Sequence, residues 1–288
     1  MKKITSLILA LVLIAAMLCT FASCGKGETI YVQTNPYFAP FEYYDGTEIV
    51  GVDVEVMNKV GEKMNAKVDF KDVEFSVIID NVAAGEVCDA GAAGITITPA
   101  RQELVDFSIP YYTSVQYVIY KNGTMTVDGN DNGVDYILWD SMAGKKIGVQ
   151  RDTTGDFYVS DEINCSEAAG DSFTGVLFGS GATVDQYDSA QIALEAIKAN
   201  KIDLVVVDEL PATYLTSAEA DYSCAALYYK GGEGESDSPT EEQYAICVTK
   251  GNDELLKAIN EVLEEMLVED ANGESEIIKL VKKHMGIE

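Results

Sequence analysis

The sequence predicts an α/β protein built on mostly parallel sheets, and two observations carry that prediction. Short β-branched runs alternate with segments whose apolar residues recur every three or four positions, and two loop-like stretches interrupt the alternation. The strand candidates are Thr29 to Gln33, Lys67 to Phe70, Asp89 to Thr96, Gln116 to Tyr120, Lys146 to Gln150, Asp203 to Val207 and Tyr244 to Thr249. Val56, Val60 and Met64 form one helical stripe, and Ile192, Ala196 and Ala199 form another. Leu255, Leu256, Ile259, Val262, Leu263, Met266 and Leu267 form the longest, with acids and a lysine between them as the solvated face.

The interruptions are Asn122 to Asp135, rich in Gly, Asn and Asp, and Gly231 to Thr240. If both lie near chain crossings, residues 113–242 form an inserted lobe, and residues 25–112 combine with 243–288 into the other. Cys165 to Thr183, rich in Gly, Ala and Ser, is expected to be a further surface loop.

The chain has 288 residues with 20 Lys+Arg against 48 Asp+Glu, a formal charge of −28. Such a chain repels a phosphate backbone and an anionic lipid surface, so nucleic acid is not an expected partner. One histidine, His284, argues against a His-based metal site or Ser-His-Asp catalysis.

Residues 1–23 read as a secretory signal. Lys2 and Lys3 supply the positive start, and Ile4 to Leu18 is almost unbroken aliphatic sequence, with a retained membrane helix as the competing reading. Phe21-Ala22-Ser23-Cys24 resembles a bacterial lipobox, which implies lipidation of Cys24 and cleavage before it. Cleavage would remove two lysines and no acid, taking the charge from −28 to −30 on 265 residues. The mature chain is expected to be extracytoplasmic and tethered to the cell membrane by lipid. Cys88, Cys165, Cys224 and Cys247 follow without C-x-x-C spacing. An oxidising compartment permits disulfides among them, a bond between Cys165 and Cys224 included, but the sequence does not choose between pairings and free thiols.

Several motifs arrive in order: Pro40-Phe41-Glu42-Tyr43, Val50-Gly51-Val52-Asp53-Val54, Asp89 to Arg101, and Val105-Asp106-Phe107-Ser108-Ile109-Pro110-Tyr111-Tyr112. Gly144 to Gln150, Thr153-Thr154-Gly155, Lys201 to Asp208 and Tyr244-Ala245-Ile246 continue the series. Together they resemble the family 3 extracellular solute-binding proteins, the polar amino-acid receptors of ABC importers. The resemblance implies a two-lobed periplasmic-binding-protein-like fold of type II, its lobes joined by two hinge strands and closing over a ligand. Val52, Ala100 and His284-Met285 depart from the family pattern.

An amino acid carries a carboxylate and an ammonium, and burying it requires fixed partners for both. Arg101 matches the family's carboxylate-binding position, where a guanidinium offers two parallel donors. The resemblance assigns the ammonium to the Gly94 carbonyl, the Thr96 hydroxyl and Asp208, and the carboxylate also to the Thr96 amide. A packing role for Gly94 and a helix cap or ion pair for Asp208 are the bland alternatives. Thr153 and Thr154 precede a predicted helix whose free amides can take a carboxylate oxygen, and Thr153 can equally be its N-cap. Phe38 and Phe75 match positions flanking the ligand side chain, although aromatic residues there could be core. Asn35 stands where the family's receptors for basic amino acids commonly have Asp, and Gln150 matches a position that contacts the side chain in some members. Being neutral amides, they suggest a polar neutral or moderately apolar amino acid.

The expected function is therefore capture of an amino acid between two lobes and its delivery to the membrane subunits of an ABC importer. No cofactor, metal or catalytic residue is expected, and the protein is expected to be a monomer. Two rivals share the motifs: an amino-acid sensor without transport, and an enzyme of the same fold such as a cyclohexadienyl dehydratase.

Overall fold

The computed structural model describes residues 29–166 and 173–287, so the expected signal and Cys24 lie outside the described residues. Strand β1 (Thr29–Thr34) leads through a small antiparallel sheet of β2 (Tyr37–Phe38), β3 (Glu42–Asp45) and β4 (Glu48–Val50) into helix α1 (Val52–Met64). The chain continues through β5 (Lys67–Asp72), α2 (Ile78–Ala84), β6 (Ala90–Gly91), α3 (Pro99–Gln102) and β7 (Asp106–Phe107). It then leaves this lobe on the ten-residue strand β8 (Tyr112–Lys121).

The second lobe holds β9 (Gly129–Asp131), β10 (Val134–Leu138), β11 (Lys146–Gln150), α4 (Thr154–Ile163) and the short pair β12 (Cys165–Ser166) and β13 (Phe173–Thr174). It continues with β14 (Thr183–Tyr187), α5 (Ala190–Lys198), β15 (Leu204–Asp208), α6 (Glu209–Ser217), β16 (Tyr222–Tyr229) and β17 (Ser238–Pro239). The return runs along β18 (Glu241–Tyr244) to β19 (Cys247–Val248), α7 (Asp253–Met266) and α8 (Glu276–Met285).

The first sheet has the order β5-β1-β6-β19-β7; the second runs β14-β11-β15-β8-β16-β10-β9, with β18 paired to the start of β8. In that pairing Tyr112 faces Tyr244 and Ser114 faces Glu242 across two antiparallel strands that join the lobes. Both sheets are mixed. The strands β1, β5 and β6 are parallel, as are β11, β14 and β15, but β19 runs against β6, and β8 runs against both β15 and β16. The crossover strands cause this: a chain that enters a lobe between its βα units must run against them.

Burial follows the helical stripes in α1 and α7. Val52, Val56, Met57 and Val60 of α1 and Leu255, Ile259, Val262 and Leu263 of α7 share one apolar core, and the two helices pack together. The stripe expected on α5 is displaced. Ile192 is 49% exposed, and the buried face is Ala190, Ala193, Leu194, Ala196 and Ile197. Leu194 and Ile197 draw that face into the core, and Ser189 starts the helix by accepting the Ile192 amide.

Two further expectations are corrected and one open alternative is decided. The Asn122 to Asp135 stretch contains the β9–β10 hairpin, closed by positive-φ residues Asn132 and Gly133. The Asp89 to Thr96 run is a strand only at Ala90–Gly91, after which it turns toward the cleft. Cys88, Cys224 and Cys247 are free thiols, so the Cys165 to Cys224 bond is not formed. Cys224 instead shares a hydrogen bond with the Thr216 hydroxyl. Among the described residues no helix is long and apolar enough to cross a membrane.

Candidate functional site

The ends of β6, β11 and β15 converge on one small cavity. Asn35, Phe38, Phe75, Gly94, Thr96, Gln150, Thr153, Thr154 and Asp208 all line it, so the structure brings together nine of the ten residues singled out in the sequence. The tenth, Arg101, stands directly behind Thr96. A wider groove where the described chain begins, between α1 and α7, shows no such convergence of buried polar side chains.

Arg101 sits on the short helix α3, whose start is fixed by Pro99 and by the Thr98 hydroxyl accepting the Arg101 amide. Its guanidinium is buried between the lobes. Nη1 donates to the Thr96 carbonyl at 2.9 Å, and Nη2 donates to the Asp152 carbonyl of the second lobe at 3.0 Å. The faces of Phe75 and Phe157 lie 5.5 and 5.8 Å from its central carbon, within cation–π range. Burial pulls its pKa down, and Glu242, Cys247, Asp208 and Asp152 oppose that pull.

Gly94 follows β6 in a left-handed conformation, φ +54°, and its amide donates to Asp53 Oδ2 at 2.9 Å. Two residues on, the Thr96 hydroxyl lies 3.2 Å from the Thr154 hydroxyl of the opposite lobe. Thr153 caps α4 by accepting the Asp156 amide, which places the free amides of that helix end at the cleft. The N-cap role weighed from the sequence is thus present, and it leaves the helix end open toward the cavity.

Asp208 ends the fully buried strand β15 and accepts from Tyr244 OH at 2.6 Å and from Gln116 Nε2 at 3.1 Å. It occupies the N-cap position of α6 without a side-chain capping bond, and it has no ion pair among the described residues. Burial raises its pKa well above the usual carboxylate range, and the charge and hydrogen bonding of Glu242 raise it further.

On the opposite side, Asn35 and Gln150 bond to each other. Gln150 Nε2 donates to Asn35 Oδ1 at 3.0 Å, while Asn35 Nδ2 donates to the Val73 carbonyl. Phe38 is buried against Phe41 and Tyr244, and Phe75 opens a single 3₁₀ turn beneath Arg101.

Sequence reasoning missed two buried acids, one behind the cavity wall and one lining it. Glu242 projects from β18 and its Oε2 accepts from both the Thr96 hydroxyl, at 2.6 Å, and the Thr154 hydroxyl, at 2.5 Å. Its Oε1 accepts from Gln116 Nε2, the same amide nitrogen that donates to Asp208. Glu42 lines the cavity, is fully buried, and has no hydrogen-bond partner for either oxygen among the described residues. Burial lifts its pKa well above the usual range, helped by Asp53 and Asp208. Alternation along β18 was the available signal for Glu242, because Tyr244 faces inward and residues two apart on a strand share a face.

The arrangement offers a buried guanidinium, a hydroxyl pair spanning both lobes, a helix N-terminus and buried carboxylates around one small volume. It can enclose a ligand with an anionic and a cationic end.

The profile of the bacterial extracellular solute-binding proteins, family 3, matches residues 30–287. A putative ABC transporter arginine-binding protein of Escherichia coli is 28% identical over 263 residues, covering 88% of this chain and 92% of that protein. An ancestral arginine-binding protein solved with arginine is 29% identical at a TM-score of 0.69, covering 90% of this chain and 99% of that one. An ancestral arginine-binding protein solved with glutamine is also 29% identical at a TM-score of 0.69, covering 91% of this chain and 100% of that one.

Proposed function

Because the chain belongs to the bacterial extracellular solute-binding proteins, family 3, we infer that it captures an amino acid between two closing lobes and delivers it to an ABC importer. The observation that supports this reading is that Asp208 lines the cavity while Arg101 lies buried just behind its Thr96 wall, bonded to carbonyls of both lobes.

In this reading Arg101, the Thr96 amide and the N-terminus of α4 at Thr153 and Thr154 take the ligand carboxylate. Asp208, the Thr96 hydroxyl and the Gly94 carbonyl take the ammonium. Phe38 and Phe75 flank the side chain, and Asn35 and Gln150 close its far end. Residues 25–112 with 243–288 act as one body and residues 113–242 as the other. A ligand favours the closed form only as far as it contacts both, and these partners come from both. Membrane subunits of the importer would read the closed form.

The remaining features fit the same role. Residues 1–23 would be cleaved, Cys24 would carry the lipid anchor, and the mature protein would work outside the cytoplasm as a monomer. No catalytic step is proposed, since the acids in the cleft serve ligand charge.

The test is a thermal-shift screen of the mature protein against the proteinogenic amino acids, cystine and ornithine. A ligand at a hundred times its Kd stabilises the folded state by about 2.7 kcal/mol, so a true ligand stands clear of the rest. No shift with any of them would overturn the reading.

A further inference from the structure

We propose that Glu242 sets the charge of the ligand: its carboxylate, standing beside Asp208, makes the cleft select an amino acid that carries a second, cationic nitrogen. The inference rests on the proposed function and names the ligand class of the same site.

Three observations support it. Glu242 is buried on the second crossing strand and stands behind the cavity wall, where it accepts from the hydroxyls of Thr96 and Thr154, two residues that line the cavity. It shares the Gln116 amide nitrogen with Asp208, and every other donor to the pair is a neutral hydroxyl, of Tyr244, Thr96 or Thr154. Glu42 adds a third carboxyl to the same wall, fully buried and with neither oxygen bonded among the described residues. Among the described residues no Lys or Arg lines the cavity, and Arg101, behind Thr96, is held by two carbonyls.

A zwitterion brings one charge of each sign. Its carboxylate matches Arg101 and its ammonium matches one acid, which leaves the remaining acids without a counter-charge. A ligand with an extra cationic nitrogen supplies that charge in a site where water cannot. This reverses the neutral ligand suggested by Asn35 and Gln150. Those two amides are bonded to each other and to Val73, so their neutrality says little about what enters.

The experiment is calorimetric titration of the mature protein with arginine and with citrulline, which is nearly the same shape without the charge. The same titrations follow on Glu242→Gln and on Glu242→Asp, which keeps the charge. The wild type should bind arginine at least tenfold more tightly than citrulline, Glu242→Gln should shrink that ratio at least tenfold, and Glu242→Asp should largely retain it. Equal wild-type affinities, tighter binding of citrulline, or an unchanged ratio in Glu242→Gln would overturn the proposal. If Glu242→Gln does not fold, the wild-type ratio and the Glu242→Asp ratio decide. A protein that binds amino acids without charge preference loses only this inference, whereas one that binds none loses the proposed function as well.

Discussion

Gly94 and Phe38 leave no room between them: a Cβ added at Gly94 would lie 2.6 Å from the edge of the Phe38 ring. The backbone there is also left-handed, so a side chain meets strain from two directions. Gly94→Ala should cost about 1–3 kcal/mol of stability by urea denaturation. It should also weaken ligand binding, because Phe38 must swing into the cleft.

Asp208 faces Glu242 across the Gln116 amide in a buried site, an arrangement that favours ligand at the expense of the ligand-free fold. Asp208→Asn removes one carboxyl and keeps an acceptor for Tyr244. The ligand-free variant should melt about 2–4 °C higher, the shift expected from roughly 1 kcal/mol in a chain of this size. Its affinity for the best amino acid should fall at least tenfold.

Asp53 is buried under Gly94 and Tyr111, and desolvation raises its pKa to about 6 despite the hydrogen bonds from both, which act the other way. A carboxyl whose folded pKa lies above its unfolded value binds more protons in the native state. Its effect on stability is therefore least costly below about pH 4 and grows as pH rises to about 6. The cost approaches about 3 kcal/mol for a shift of this size. Asp53→Asn should flatten the loss of stability between pH 4 and 6, measured by denaturant unfolding at each pH.

The lipid anchor proposed at Cys24 is tested in cells. Cys24→Ser should move the protein from the membrane fraction to the medium or periplasm and abolish incorporation of labelled fatty acid. Retention in the membrane after detergent-free extraction would count against that anchor.

The head-group residues were legible in the sequence because each sits in a short motif whose local geometry is nearly fixed. Pro99 and Thr98 set the turn that presents Arg101, and Asp208 ends an unbroken apolar strand that can run only through a core. Glu42 was visible inside such a motif, yet nothing in Pro40-Phe41-Glu42-Tyr43 tells which way its side chain points. Glu242 was hidden by a boundary. The Gly-rich loop ends at Thr240 and the recognisable strand starts at Tyr244, so the acid between them reads as solvated surface. Its burial depends on β18 pairing with β8, a contact between residues more than a hundred positions apart. The α5 stripe failed for a different reason: Leu194 and Ile197 bury the neighbouring face, and Ile192 with two alanines carries too little apolar area to compete.

The central claim, that the cleft around Arg101 captures an amino acid, is tested most directly by calorimetric titration of wild type and Arg101→Ala with the amino acid that most raises the melting temperature. Saturable one-to-one binding in the wild type is expected. Removing a buried partner of a charge costs about 2–5 kcal/mol, so the variant should bind at least thirtyfold more weakly. Unchanged affinity in a folded Arg101→Ala protein would contradict the account.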